Sequence, residues 1–176
     1  MAGKEPEYGQ TAETVAANIT RLRTAQNLTY TDVSERVKSA GWSLTPVAVR
    51  RIENKQRKVS PDDLTSLAVA LRVSPTTLLM PPHRTAGDDV EFTGGRAPAM
   101  HVWEWLRAES PYPLHRGSED VNVSIARFQA DNWPGWFLET ERLLEEGRRA
   151  RHIRAAFAWA EDEQAAGERA ATDGDD

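Results

Sequence analysis

Three times between residues 45 and 75 a hydroxylated side chain precedes proline: Thr45-Pro46, Ser60-Pro61 and Ser74-Pro75. Ser and Thr are strong helix N-caps, and proline is tolerated at the first helical position, where its missing N–H costs nothing. Each pair starts a helix and limits the one before it, so this stretch is cut into short helices. The apolar residues agree. Val15, Ile19 and Leu22 make one stripe from about Thr11, ended by Asn27. Thr29 with Asp32 resembles a capping box, and Val33 and Val37 give a second buried face that Gly41 stops. Trp42-Ser43-Leu44 forms a turn. Val49 and Ile52 face inward on helix three, so Arg50 and Arg51 point away from the core. Leu64, Leu67, Ala68 and Leu71 mark helix four, Thr76 to Leu79 a brief fifth, and Pro81-Pro82 closes the unit.

Charge picks out one surface. Residues 46–58 carry five bases (Arg50, Arg51, Lys55, Arg57, Lys58) and one acid (Glu53), a local net of +4 in a chain of net charge −5. Residues 1–80 hold 11 Lys/Arg and 8 Asp/Glu (+3), whereas residues 81–176 hold 11 and 19 (−8). A positive patch concentrated on an acidic protein points to a polyanion, and the basic half is the part that would meet it. Paired arginines on one helix also read as a plain solvated face. Set within the family resemblance described next, the pair is expected to meet DNA.

The ordered set RLRTAQNLT, VSERV, VRRIENKQR and DDLTSLAVALRVSPTTLL resembles the XRE family of lambda-repressor-like helix-turn-helix regulators over roughly residues 12–80. The expected fold is mainly α: the resemblance implies a five-helix DNA-binding domain, and the residues beyond it read as a smaller, mostly helical C-terminal region with a long helix. It implies that helix three lies in the major groove while helix two crosses the backbone. Carried over, Val47, Ala48, Arg50 and Arg51 would meet bases, with arginine suited to guanine O6 and N7 and the apolar pair to a thymine methyl. Thr29, Tyr30, Thr45, Lys55, Gln56, Arg57 and Lys58 would hold phosphates. Glu53 matches a structural acid that pairs with an arginine, here Arg23 or Arg36. The family often has Gln at the start of helix two and early in helix three. This chain has Tyr30 and Pro46 there, and its turn between the two helices is longer. Base readout therefore rests mainly on Arg50 and Arg51.

The expected organisation is a flexible arm (1–10), the DNA-binding domain (11–82), a linker (83–99) with a possible strand at Val90–Thr93, a helical region (100–160) and an acidic disordered tail (161–176). Met100 to Leu106 reads as an amphipathic helix with Val102, Trp105 and Leu106 on one face and Trp103 elsewhere; it loosely resembles the extension in some actinobacterial or phage regulators. Val121, Val123 and Ile125 alternate as in a strand. From about Trp136 a long helix begins. Its basic middle, with Arg148, Arg149 and Arg151, is either a secondary DNA patch or a solvated face paired with Glu145, Glu146 and Glu161. Flanking acids favour the second. Five of the six tryptophans lie beyond residue 100. Trp105 and Trp136 are expected in a core; Trp103, Trp133 and Trp159 are unassigned.

Without cysteine there is no disulfide framework and no thiolate metal site. His83, His101, His115 and His152 lack ligand spacing, and no nucleotide-loop, hydrolase or zincin motif occurs, so neither enzyme, metal nor cofactor is expected. No apolar run would span a membrane, which places the expected protein in the cytoplasm, associated with the nucleoid. The expected function is a sequence-specific transcriptional regulator, a repressor, on double-stranded DNA and as a homodimer. The alternative is a protein-interaction regulator, such as an antitoxin or a transcription-factor partner, acting through the Trp-rich C-terminal half.

Overall fold

Four side-chain caps begin four consecutive helices. Thr29, Ser60 and Ser74 accept from the backbone N–H three residues on, as does Thr45 from Ala48. Asp32 and Asp63 return the bond to Thr29 and Ser60, completing two capping boxes. These caps, in a computed structural model describing residues 8–113, 120–146 and 148, start α2 (Tyr30–Ser39), α3 (Pro46–Glu53), α4 (Pro61–Ala70) and α5 (Pro75–Leu79). Before them lies α1 (Gln10–Ala25), which starts inside the expected arm. The helix ends are equally specified. Asn27, Gly41, Lys55 and Arg72 adopt left-handed φ values of 54°, 86°, 58° and 56° just past α1 to α4. The two N–H groups at each end fold back on the last turn, as Gln56 does on the Arg51 carbonyl at 2.7 Å.

The chain divides into two compact units, Met1–Gln129 and Ala130–Asp176. In the first, α1 to α5 close on a core of Val15, Ile19, Val33, Val37, Leu44, Ala48, Val49, Ile52, Leu67, Leu71 and Leu78. Each of the larger buried aliphatics contributes about 1.5–3 kcal/mol. Asn18 fastens the fifth helix by donating from one amide nitrogen to the Leu78 and Met80 carbonyls at 3.0 and 2.9 Å.

The stretch expected as a linker is a second small core instead. β1 (Asp89–Phe92) pairs antiparallel with β2 (Gly95–Pro98), with Val90 opposite Ala97. The hairpin packs on α6 (Ala99–Leu106), burying Met80, Val90, Phe92, Ala97, Ala99 and Val102. Phe92, Trp105 and Tyr112 form an aromatic trio with centroids 5.0–6.1 Å apart. Composition misleads here because proline and glycine serve the hairpin ends and its turn. The turn also grips α1: Thr11 N–H donates to Thr93 Oγ1 at 3.1 Å, and Thr93 N–H to Thr11 Oγ1 at 2.9 Å.

The alternating Val121, Val123 and Ile125 do not form a strand. They lie in α7 (Val121–Asn132), where Val121 and Val123 are exposed, so their spacing reports no buried sheet face. Asp120 accepts from Asn122 N–H at 2.7 Å at its start. In the second unit, residues 135–146 are helical. Trp136, expected in a core, is 73% exposed there, while Trp133 is half-buried with its ring edge-on to Phe137 at 4.9 Å. Arg149, Arg151, Trp159 and the acidic tail lie outside the described residues, as do residues 1–7. The protein is mainly helical, with a five-helix domain followed by a largely helical region. No helix among the described residues is long and apolar enough to cross a membrane.

Candidate nucleic-acid interface

α3 presents two faces. Val49 and Ile52 are fully buried, whereas Arg50 and Arg51 are exposed, and neither arginine side chain has a hydrogen-bond or ion-pair partner among the described residues. Val47 is 59% exposed at the start of the same helix. Ala48 departs from expectation. It is 7% exposed and belongs to the core. The reason is helical geometry: Ala48 lies four residues before Ile52, on the same inward face. The outward surface of α3 is therefore Val47, Arg50 and Arg51.

The turn after α3 is basic but not uniformly free. Gln56 and Lys58 are exposed, with no side-chain partner among the described residues. Lys55 pairs with Glu13 of α1 at 3.1 Å, on a half-exposed surface where such pairs contribute little. Arg57 is committed further. Its Nη2 lies 3.0 Å from Oδ2 and 3.3 Å from Oδ1 of Asp63, whose side chain is completely buried. Trp42 reaches the same carboxylate from the turn before α3, donating from its indole nitrogen at 3.0 Å.

The remaining expected phosphate contacts also carry structural duties. Thr29 and Thr45 are exposed caps whose oxygens accept from Asp32 and Ala48 N–H. Thr29 also donates to Asp32 Oδ2 at 2.7 Å. Tyr30 packs against the core, with the Arg23 guanidinium 4.4 Å above its ring. Arg23, not Arg36, answers Glu53. The pair is bidentate at 2.6 and 2.9 Å, and the Glu53 side chain is 4% exposed. Arg36 turns instead to Gln26 and the Ala70 carbonyl. The Glu53 hydrogen bond raises the Arg23 pKa further, keeping it charged.

Of the secondary basic patch, Arg148 is exposed and not without interactions, and Glu146 accepts from Arg142 at 3.1 Å. Among the described residues no group of His, Asp or Glu is arranged to hold a metal.

The sequence reading missed Asp63 as more than a cap and Trp42 as more than a turn residue. It also missed Tyr8, whose buried hydroxyl sits beside the Arg57 backbone. For Asp63 the sequence marked only the cap, three residues after Ser60, and not its burial. Nothing local marked the other two.

Residues 19–78 match the family model described as helix-turn-helix. The match spans α2 to α4 with parts of α1 and α5 and leaves the hairpin, α6 and α7 outside it. The chain matches no curated protein and no solved structure.

Proposed function

We propose that the chain, whose residues 19–78 match a helix-turn-helix model and resemble the XRE family, is a sequence-specific regulator of transcription whose α3 reads base edges in the major groove. One observation carries this reading. The outward face of α3 holds two exposed arginines whose side chains have no protein partner among the described residues, on a helix whose opposite face is fully buried. Arginine in that setting offers its planar fork to guanine O6 and N7. Val47, at the N-terminal end of the same face, supplies apolar contact for a thymine methyl. Lys58, Gln56 and Lys55 hold phosphates along the adjoining turn, with Thr45 and the first turn of α2 (Thr29, Tyr30) on the other flank. The protein acts as a repressor by occupying its site, as a homodimer on a symmetric operator.

The test separates reading from gripping. A duplex is selected from a random library with the unaltered protein, and each base pair is then varied. Arg51→Ala should cost about 1–3 kcal/mol and relax preference at one base pair. Lys58→Ala should weaken all sequences alike and lower the salt slope by about 0.9. An exchange of the two patterns would place the reading face elsewhere.

A second reading rests on α6. Trp103 is 38% exposed, with Met100 beside it at 47% and Arg107 5.2 Å from its ring. Exposed Trp and Met are enriched at protein interfaces. A protein-partner role through this face predicts that Trp103→Ala abolishes activity while the Arg50/Arg51 double alanine variant retains it.

A further inference from the structure

We propose that Asp63 positions the reading helix, and that Arg57 serves recognition as a latch on Asp63 rather than as a phosphate contact. This rests on the reading of α3 given above.

Asp63 lies in the first turn of α4 with its side chain completely buried. A carboxylate removed from water must be met by donors or it is strongly destabilising. Three groups meet this one: the Trp42 indole on Oδ1 at 3.0 Å, the Ser60 N–H on Oδ2 at 3.2 Å, and Arg57 Nη2 across both oxygens. Trp42 belongs to the loop that enters α3, and Arg57 to the loop that leaves it. One buried carboxylate therefore ties both flanks of α3 to the start of α4. α3 has eight residues, too few to be stable as an isolated helix. Its presentation is set by what holds its ends.

The charge consequence separates Arg57 from its neighbour. The guanidinium of Arg57 is neutralised by Asp63, so the pair brings no net cation to a phosphate. Lys58, one residue on, is exposed and has no acid partner among the described residues. Counterion release counts the cations that neutralise phosphates, at about 0.9 of salt slope each. Lys58 should register in that slope and Arg57 should not.

The experiment uses the full chain, a random-sequence duplex, and the duplex selected with the unaltered protein, titrated over a salt series. Circular dichroism melts confirm the fold of each variant. Arg57→Gln is expected to keep the salt slope of the unaltered protein while its preference for the selected duplex falls roughly tenfold, or 1.4 kcal/mol. Arg57→Lys should recover most of the preference, because an ammonium still pairs with Asp63. Trp42→Phe removes the indole donor, leaves Arg57 untouched, and should lose preference in the same direction. Lys58→Gln should lower the slope by about 0.9 and keep the preference. The latch is overturned if Arg57→Gln lowers the slope as Lys58→Gln does. It is equally overturned if preference survives in Trp42→Phe, the variant that decides the matter should Arg57→Gln not fold. An unaltered protein that binds neither duplex in a salt-dependent way would overturn the DNA reading itself, before any variant is compared.

Discussion

At the scale of single residues, two buried carboxylates carry much of the organisation around α3. Glu53 closes its C-terminal end onto Arg23, and Asp63 gathers the loops on either side. Removing one member of such a pair leaves the other buried and uncompensated. Glu53→Ala should therefore cost about 3 kcal/mol, read as a lower urea midpoint; a change within 0.5 kcal/mol, roughly the ordinary surface value, would contradict this. Burial alone would raise the Asp63 pKa. The Trp42 indole, the Ser60 N–H and hydroxyl, and the Arg57 charge outweigh it, so the group sits below the usual carboxylate value. The sign follows from that depression. The unfolded chain binds a proton near pH 4 and the folded chain holds it off to lower pH, so this stabilisation is present above about pH 4 and is lost as pH falls through the depressed value. Asp32 is lowered too, by its bonds to Thr29, and acts in the same direction. Asp63→Asn should flatten the decline of the urea midpoint below about pH 4. Identical acid profiles for the two proteins would mean that Asp63 is not depressed.

At the scale of elements, the starts of α2 to α5 were legible because each is written in local chemistry. A hydroxyl cap, joined in α3 to α5 by a proline at the first position, needs only its neighbours in sequence. Of the left-handed stops, Asn27 and Gly41 were legible, whereas Lys55 and Arg72 were not, because neither residue type favours that conformation. The hairpin was only partly legible. Its strand was visible at Val90–Thr93, but its partner Gly95–Pro98 reads as turn residues, and the trio of Phe92, Trp105 and Tyr112 forms across distant positions. α7 was misread because alternation of Val121, Val123 and Ile125 counts apolar residues without knowing which face is covered. In the site, the outward direction of Arg50 and Arg51 followed from Val49 and Ile52, while Ala48 was lost by carrying a position over without checking its helical face. The Asp63 network was illegible, since it joins residues 21 apart in sequence through a turn. The hairpin yields its own prediction. A Cβ at Gly95 would fall on the Tyr112 hydroxyl, which donates to the Arg96 carbonyl at 3.1 Å. Gly95→Ala should cost about 1–3 kcal/mol by displacing that ring. Amide exchange should quicken over residues 89–98 and stay slow over 61–71. Unchanged exchange in the hairpin would show that the trio accommodates the methyl.

At the scale of the whole molecule, charge is divided along the sequence, +3 over residues 1–80 and −8 beyond. The basic share is drawn together by α3 and the turn after it, and it is the part that a polyanion would meet. A net charge of −5 opposes nonspecific approach to DNA, so binding depends on that local patch and must weaken as salt screens it. The most direct measurement is a titration of the full chain onto random-sequence duplex DNA at two salt concentrations, with Arg50→Ala/Arg51→Ala alongside. The account predicts binding that falls steeply with salt and is largely lost in the double variant, which should remain folded because neither side chain has a protein partner among the described residues. A folded protein whose DNA binding is absent, or is the same with and without those arginines, would contradict it.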